Sequence, residues 1–262
     1  MKTLLAIKSC EFDRARQAHD LIRNTWGRDV EDLDLIFFMG HGAKASLSDE
    51  IVLDTPDGYI DLPFKTREIC RWAINRDYTH LGLLDTGSFL IPHHLRISGF
   101  DHQDYMGFWG MKIKNFSYTA EDINRGCPPV RIENCVPWAS GGFYTLSRTA
   151  MNIIASGEPF VHAEDLWTAQ ELAKHGILLV DGASSGWRGK TCDWISSEKN
   201  GYPNAMEKRT AWMNDKYNKA KEICATEGCF SPYWAKYNLI ESRDADQIEK
   251  VLEQRRLERR KK

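Results

Sequence analysis

The stretch Leu81-Gly82-Leu83-Leu84-Asp85-Thr86-Gly87-Ser88-Phe89-Leu90 decides the fold of this chain. An apolar run ends in an acidic residue, a small turn follows, and apolar residues then resume. Buried strands deliver a carboxylate in this way to the rim of an open sheet, where α/β proteins bind their ligands. The pattern therefore predicts a strand over residues 79–84 and places the Asp85 carboxylate at the ligand-binding edge.

Strand and helix patterns alternate on both sides of this stretch. Apolar runs predict further strands at residues 4–7, 34–39, 51–53, 142–147 and 177–180. Apolar residues at helical spacing predict helices at residues 13–26, 62–74, 148–156 and 163–175. This β-α-β-α-β order predicts an α/β fold with a mostly parallel central sheet flanked by helices.

The chain divides into a main domain and a tail. Residues 1–203 are predicted to form one domain that ends in a loop rich in Gly, Ser and Asn at residues 181–203. Residues 204–262 are predicted to form a helical C-terminal extension with helices at 204–224 and 244–261. Its last eight residues, 255–262, carry six positive charges and one negative. They indicate either a solvated helix end or an electrostatic contact with nucleic acid or an anionic membrane.

Composition excludes several classes of protein. A 262-residue chain with 42% hydrophobic residues and a net charge of −2 is typical of a soluble globular protein without an obligatory polyanion partner. Seven cysteines at irregular spacing favour free thiols over a disulfide scaffold or a structural zinc site. Residues 1–8 have too short an apolar core for a signal peptide, and no run predicts a membrane span. We therefore expect a cytoplasmic protein.

Five separated segments share the pattern of a known enzyme family. They are Arg16 with residues 22–26; Glu50, Asp54, Tyr59, Leu62, Lys65-Thr66 and Trp72; residues 84–89; residues 137–147; and residues 164–172. In order and spacing over residues 14–180 they resemble the β-1,3-galactosyltransferase and Fringe family, in a divergent form without a membrane anchor. The resemblance implies a single A-type glycosyltransferase domain. It also implies an inverting transfer of sugar from a nucleotide-diphosphate sugar, such as a UDP-sugar, to an acceptor hydroxyl.

Two adjacent acidic residues are the catalytic candidates. Inverting transfer needs a base that takes the proton of the acceptor hydroxyl, and the resemblance assigns this role to Asp165. In the first turn of a helix the dipole favours the ionised carboxylate. Glu164 would orient this base or bind acceptor hydroxyls. The alternative is that both residues only cap the helix.

Small and aromatic residues are the candidates for contact with the sugar or the acceptor. Gly141 and Gly142 would let the backbone approach a sugar closely, or else form a tight turn before a strand. Trp138 and Trp167 would stack on a sugar face, or else belong to the core.

The donor site departs from the family pattern at its metal. The resemblance assigns donor binding to Asp85, Thr86, Gly87, Arg23 and Lys65. The family holds a divalent ion with the last Asp of its acidic triplet, but Gly87 occupies that position here. The late His that often assists is also missing, because no His follows His175. Asp85 is then the remaining metal candidate, and the two alternatives are a reaction that uses Mn²⁺ or Mg²⁺ and a reaction that uses no metal.

Two cations offer a substitute for a metal. Arg188 and Lys190 follow the last predicted core strand and would neutralise the departing diphosphate when their loop closes. The alternative is a solvated loop.

Two functions from different classes remain. The first is a bacterial or viral glycosyltransferase whose acceptor is a glycan, a protein hydroxyl or a hydroxymethylated DNA base. Aromatic residues of the C-terminal segment and its basic end favour the DNA version. The second is a catalytically inactive nucleotide-sugar fold kept as a binding module, which the missing Asp at position 87 favours. A nucleotide-binding protein of the P-loop or dinucleotide kind is disfavoured, because no Gly-rich loop follows the first strand.

Overall fold

The computed structural model describes residues 1–15, 17–30, 33–90, 92, 95, 98–111, 115–124, 126–181, 190–191, 210–211, 213–215 and 217–218. The strands are β1 Thr3–Lys8, β2 Asp34–Met39, β3 Glu50–Val52, β4 His80–Asp85, β5 Ser88–Phe89, β6 Tyr105–Met111, β7 Asn115–Ser117, β8 Arg131–Glu133, β9 Trp138–Ser147, β10 Val180–Asp181 and β11 Lys190–Thr191. The helices are α1 Glu11–Ala15, α2 Ala18–Arg23, α3 Leu62–Ile74, α4 Ala120–Asn124, α5 Arg148–Ser156 and α6 Glu164–Ala173. Single 3₁₀ turns cover Trp26–Asp29, Tyr59–Asp61 and Phe100–His102.

A seven-stranded sheet in the order β10-β6-β9-β4-β1-β2-β3 forms the centre of the fold. Strand β9 runs antiparallel to β4 and β6, while the other neighbouring pairs are parallel. Six strands therefore point in one direction and end at one edge. The predicted α/β fold with a mostly parallel central sheet is confirmed.

Helices cover both faces of this sheet. Alternate strand residues such as Leu4 and Leu83 join one core cluster with the inner sides of α3, α5 and α6. On the opposite face α2 packs over β2, where the His19 ring stacks on Phe37 with 4.1 Å between centroids. Each aliphatic side chain buried in this way stabilises the fold by roughly 1.5–3 kcal/mol. No helix in the described part of the chain has the length and apolarity needed to cross a membrane.

The predicted elements and the observed ones agree except at their ends and in one helix. The helix predicted at residues 13–26 is wrong as a single element: α1 ends at Ala15, and Gln17 adopts a left-handed φ of 64° before α2 begins. The strand predicted at 177–180 is reduced to Val180–Asp181 at the sheet edge. The strand predicted at 142–147 starts earlier, at Trp138.

The C-terminal region forms a unit of its own. The chain separates into compact units at Met1–Thr210 and Ala211–Lys262. The helices predicted at 204–224 and 244–261 fall almost wholly outside the described residues, as does the basic end. The predicted boundary between residues 203 and 204 stays a prediction.

A buried polar network ties the loop after β1 to α2 and β3. The Ser9 hydroxyl lies 2.6 Å from His19 Nε2, and His19 Nδ1 lies 2.8 Å from Glu50 Oε1. The same Glu50 oxygen accepts a hydrogen bond from Arg23 Nη2 at 2.8 Å, and the other accepts from the Ser46 N–H. Burial favours the neutral form of Glu50, but hydrogen bonds from His19 and Arg23 outweigh it and lower its pKa to about 2.

This network predicts an acid-sensitive contribution to stability. The folded-state pKa of Glu50, about 2, lies below its ordinary 4.5, so the contribution is present above pH 4.5 and disappears as pH falls toward 2. We expect Glu50→Gln to lower the free energy of unfolding by about 3 kcal/mol at pH 7. The deficit should shrink at pH 3, as measured by urea denaturation. Asp54→Asn is the matched control, because that carboxylate is 99% exposed; an equal loss in both variants would contradict the prediction.

Candidate active site

The candidate site lies where the parallel strands end. Lys8, the last residue of β1, is the register partner of Asp85, the last residue of β4. The turn at Thr86 and Gly87 follows Asp85 directly, as the sequence predicts for a ligand-binding edge. Thr86 donates its hydroxyl hydrogen to Asp13 Oδ2 at 2.9 Å, which connects this turn to α1.

A cavity of about 630 Å³ opens at this edge. Its wall comes from the ends of β1 and β4, the loop after β3, the start of α3, the glycines of β9 and the start of α6. Sites for small ligands and cofactors commonly have volumes between about 300 and 1,000 Å³. The cavity is therefore large enough for a nucleotide-sized ligand.

Glu164 is a buried carboxylate of the cavity with three hydrogen-bond donors. Its side chain is 4% exposed, and Oε2 accepts a hydrogen bond from Lys8 Nζ at 2.9 Å. The other oxygen, Oε1, accepts from the hydroxyls of Thr66, at 2.9 Å, and Tyr144. These partners already engage both oxygens, and the predicted orienting role of Glu164 stays a prediction. They leave it poorly available for acceptor hydroxyls.

Asp165 is bonded more sparsely and lies at the cavity wall. Oδ2 accepts a hydrogen bond from the Gly141 N–H at 3.0 Å, and Oδ1 accepts from the Leu166 N–H at 2.8 Å. Burial and the neighbouring Glu164 carboxylate raise its pKa, Lys8 opposes them, and the outcome is a pKa of about 6. Such a group exchanges a proton near neutral pH, as a general base must.

Lys65 joins the loops at the other end of the cavity. Its ammonium donates hydrogen bonds to the Ser9 carbonyl at 2.8 Å and to Asp57 Oδ1 at 2.9 Å. Asp57 in turn accepts from the N–H groups of Gly40 and Glu11. Lys65 lines the cavity, but its charge is already paired inside the protein, and its contact with the donor stays a prediction.

The structure brings most of the predicted site residues around one cavity. Those that line it are Lys65, Asp85, Thr86, Gly141, Gly142, Glu164 and Asp165. Gly87 lies in the turn beside it without lining it. Arg188 lies outside the described residues. Lys190 is described only in its backbone, which pairs with Phe89 of β5.

Three predicted contacts need correction. Arg23 does not line the cavity, and its guanidinium pairs with Asp20, Asp49 and Glu50. Trp138 and Trp167 are 4% and 0% exposed and pack in the core, so neither ring presents a face to a sugar. The core alternative is the correct one for both tryptophans.

The glycines of β9 have a role that sequence reasoning missed. The Gly141 carbonyl accepts a hydrogen bond from Lys8 Nζ at 2.7 Å, while its N–H holds Asp165. The Gly142 carbonyl accepts from the Ser88 hydroxyl. Both peptide groups therefore position side chains of the site, and their predicted close approach to a sugar stays a prediction.

Lys8, Tyr144 and Tyr59 are three residues at the site to which sequence reasoning assigned no role. Lys8 ends an apolar strand, where a buried charge is unusual and could have signalled a site. Tyr144 occupies an inward position of β9, and its sequence pattern indicates only a core aromatic residue. Tyr59 belongs to the family-like segment, lines the cavity and is 57% exposed, so it offers the accessible ring that the two tryptophans do not.

Comparisons with known proteins find similarity in structure alone. No protein-family model matches the chain, and no curated protein matches its sequence. A candidate nucleotide-diphospho-sugar transferase from Desulfovibrio desulfuricans G20 is 9% identical, with 83% of this chain and 99% of that chain covered and a TM-score of 0.44. A candidate glucose-1-phosphate thymidylyltransferase from Bacillus anthracis is 9% identical, covers 82% and 96%, and has a TM-score of 0.48. A glycosyltransferase involved in glycosylation of the PBCV-1 major capsid is 10% identical, covers 82% and 99%, and has a TM-score of 0.47.

These solved structures do not place the chain in the β-1,3-galactosyltransferase and Fringe family. Their identity to it is too low to carry chemistry from one protein to another. Function is therefore argued from the residues of the cavity.

Replacement of the two adjacent carboxylates at the start of α6 should affect stability differently. Glu164→Gln breaks a buried ion pair, and we expect it to lower the free energy of unfolding by about 3 kcal/mol. The pKa of Asp165, about 6, lies above its ordinary 3.8, so its ionised form opposes folding above pH 6. Asp165→Asn should therefore leave stability unchanged or raise it by about 1 kcal/mol at pH 7.5. Thermal and urea unfolding of both variants tests this, and a larger loss in Asp165→Asn would contradict it.

Proposed function

We propose that this chain is an inverting glycosyltransferase in which Asp165 takes the proton of the acceptor hydroxyl. The observation that carries the proposal is the position of Asp165: its carboxylate lies at the wall of a nucleotide-sized cavity, with two backbone N–H groups holding it. The donor would be a nucleotide-diphosphate sugar, and a UDP-sugar is the expectation from the family resemblance.

The hydrogen bonds of Asp165 support a base rather than a helix cap. Oδ1 contacts the N–H of its immediate neighbour in α6, Leu166, and Oδ2 contacts the N–H of Gly141 on strand β9. A carboxylate oxygen has two lone pairs, so each oxygen keeps one for an acceptor proton. The two N–H donors also fix the plane of the carboxylate, which lowers the cost of orienting it for reaction.

The donor would occupy the part of the cavity beside Asp85, Thr86 and Tyr59. The exposed ring of Tyr59 offers a surface on which a nucleobase or a sugar can stack. The departing diphosphate needs positive charge, and Arg188 and Lys190 remain the proposed source. Arg188→Ala should reduce turnover with little change in donor affinity if that proposal is correct.

The acceptor is a hydroxyl of a glycan, a protein or a hydroxymethylated DNA base. The DNA version depends on the positive charges of residues 255–262. It requires binding to modified duplex that weakens steeply with salt. Binding insensitive to salt would leave glycan or protein as the acceptor.

An inactive nucleotide-sugar-binding module is the second candidate. Gly87 favours it, because the residue that would hold a metal in the family is missing. Asp165 disfavours it, because a carboxyl with a raised pKa beside an open cavity has no evident use in binding alone.

The base assignment predicts a selective loss in one variant. We expect Asp165→Asn to reduce sugar transfer, or donor hydrolysis in the absence of acceptor, by about 10²–10⁴-fold while donor affinity changes little. A panel of nucleotide-sugars with glycan and modified-DNA acceptors provides the assay, and NMR of the product anomer reports inversion. Glu158→Gln, at an 82% exposed carboxylate, is the control. Donor binding without turnover of any acceptor in the wild type would favour the binding module.

The raised pKa of Asp165 predicts the pH profile. The base acts only when ionised, so log kcat/KM should rise with a slope of about one up to about pH 6 and then level off. A profile flat between pH 5 and 7 would contradict the assignment of Asp165.

A further inference from the structure

A buried ammonium lies among the carboxylates of the cavity. The Lys8 side chain is 3% exposed, and its Nζ lies 2.9 Å from Glu164 Oε2, 3.3 Å from Asp85 Oδ1 and 2.7 Å from the Gly141 carbonyl. An ammonium has three hydrogens, and these three acceptors match them in number. The protein therefore surrounds the Lys8 ammonium with three of its own acceptors.

Topology places this charge at the ligand-binding edge. Lys8 and Asp85 are register partners on adjacent parallel strands, and both strands end there. Glu164 comes from the first turn of α6, whose N-terminal end faces the same cavity. Burial by itself lowers the pKa of Lys8, but the carboxylates of Asp85 and Glu164 outweigh it and raise the pKa, so the side chain remains charged.

The residues present do not fit the divalent ion that the family resemblance implies. Gly87 supplies no ligand in place of the family's last Asp. The Asp85 carboxylate, the remaining candidate, already faces the Lys8 ammonium at 3.3 Å. A divalent ion bound to Asp85 would lie close to that positive charge in a partly desolvated site, where repulsion is strong. Within the described residues, no three or more His, Cys, Asp or Glu side chains are grouped so that they could hold a metal.

We propose that the Lys8 ammonium replaces the divalent cation in this site, pairing with Asp85 and Glu164 so that a nucleoside diphosphate binds without a metal. The nucleotide part of this statement rests on the proposed function, whereas the cation part concerns this chain alone. Without Lys8 the cavity would collect the charges of Asp85, Glu164 and Asp165, which would repel a diphosphate. Lys8 reduces that repulsion with a positive charge that belongs to the chain itself and cannot dissociate.

Mn²⁺ binding to the free protein tests the cation part without any nucleotide. Electron paramagnetic resonance of free Mn²⁺ is measured for wild type, Lys8→Met and Lys8→Arg at pH 7.5. We expect the wild type and Lys8→Arg to bind Mn²⁺ no more tightly than about 1 mM, and Lys8→Met to bind at least about tenfold more tightly, because its carboxylates lose their cation. Wild-type binding as tight as that of Lys8→Met would overturn the proposal. Circular dichroism establishes that each variant is folded.

UDP binding to the wild type is the second measurement and needs no variant. Isothermal titration with EDTA and with 1 mM Mn²⁺ should give affinities within about twofold of each other, whereas tightening of about tenfold or more by Mn²⁺ would overturn the proposal. If UDP, GDP and dTDP all fail to bind under both conditions, the proposed function fails. The Mn²⁺ resonance data then still decide whether Lys8 holds the cation position, so the two failures are distinguishable.

Discussion

The ion pair between Lys8 and Glu164 connects two elements on which the site depends. It joins the end of β1 to the start of α6 at 2.9 Å, across 156 positions of sequence. Both side chains are almost fully buried, and a buried charge without a partner is strongly destabilising. Each of the two residues therefore has to stay within pairing distance of the other for the fold to be stable. Thr66 and Tyr144 complete the surroundings of Glu164, so α3 and β9 are drawn into the same arrangement.

Asp165 gains its properties from this arrangement although it takes little part in it. Because Glu164 is held by its partners, the next residue of α6 is presented at the cavity wall, within reach of the Gly141 N–H. The Glu164 charge raises the pKa of Asp165, while Lys8 limits the rise. Two adjacent carboxylates thus differ because their surroundings differ: Glu164 is enclosed by buried partners, whereas Asp165 lies at the cavity wall with two backbone donors.

The glycine pair of β9 shows how backbone groups contribute to such a site. Gly141 faces Lys8 with its carbonyl and Asp165 with its N–H, so one residue contacts both charged groups. A Cβ atom added there would lie 3.5 Å from Asp165 Oδ2 and 3.6 Å from Lys8 Nζ, in ordinary van der Waals contact. Glycine is therefore not required by a steric clash. Its absence of a side chain leaves space next to the charges, where a ligand could approach.

Sequence periodicity by itself determined the α/β order, the strand that carries Asp85 and the helix that begins at Glu164. These follow from local patterns of apolar residues, which depend on neighbours a few positions apart. The family-like segments also located most residues around the cavity. Tertiary structure alone decided that Trp138 and Trp167 lie in the core. It also decided that Arg23 pairs with Asp49 and Glu50, and that the buried Lys8 ammonium pairs with Glu164. Burial and pairing of charges depend on which strands and helices become neighbours in space, and no local pattern encodes a contact across 156 residues.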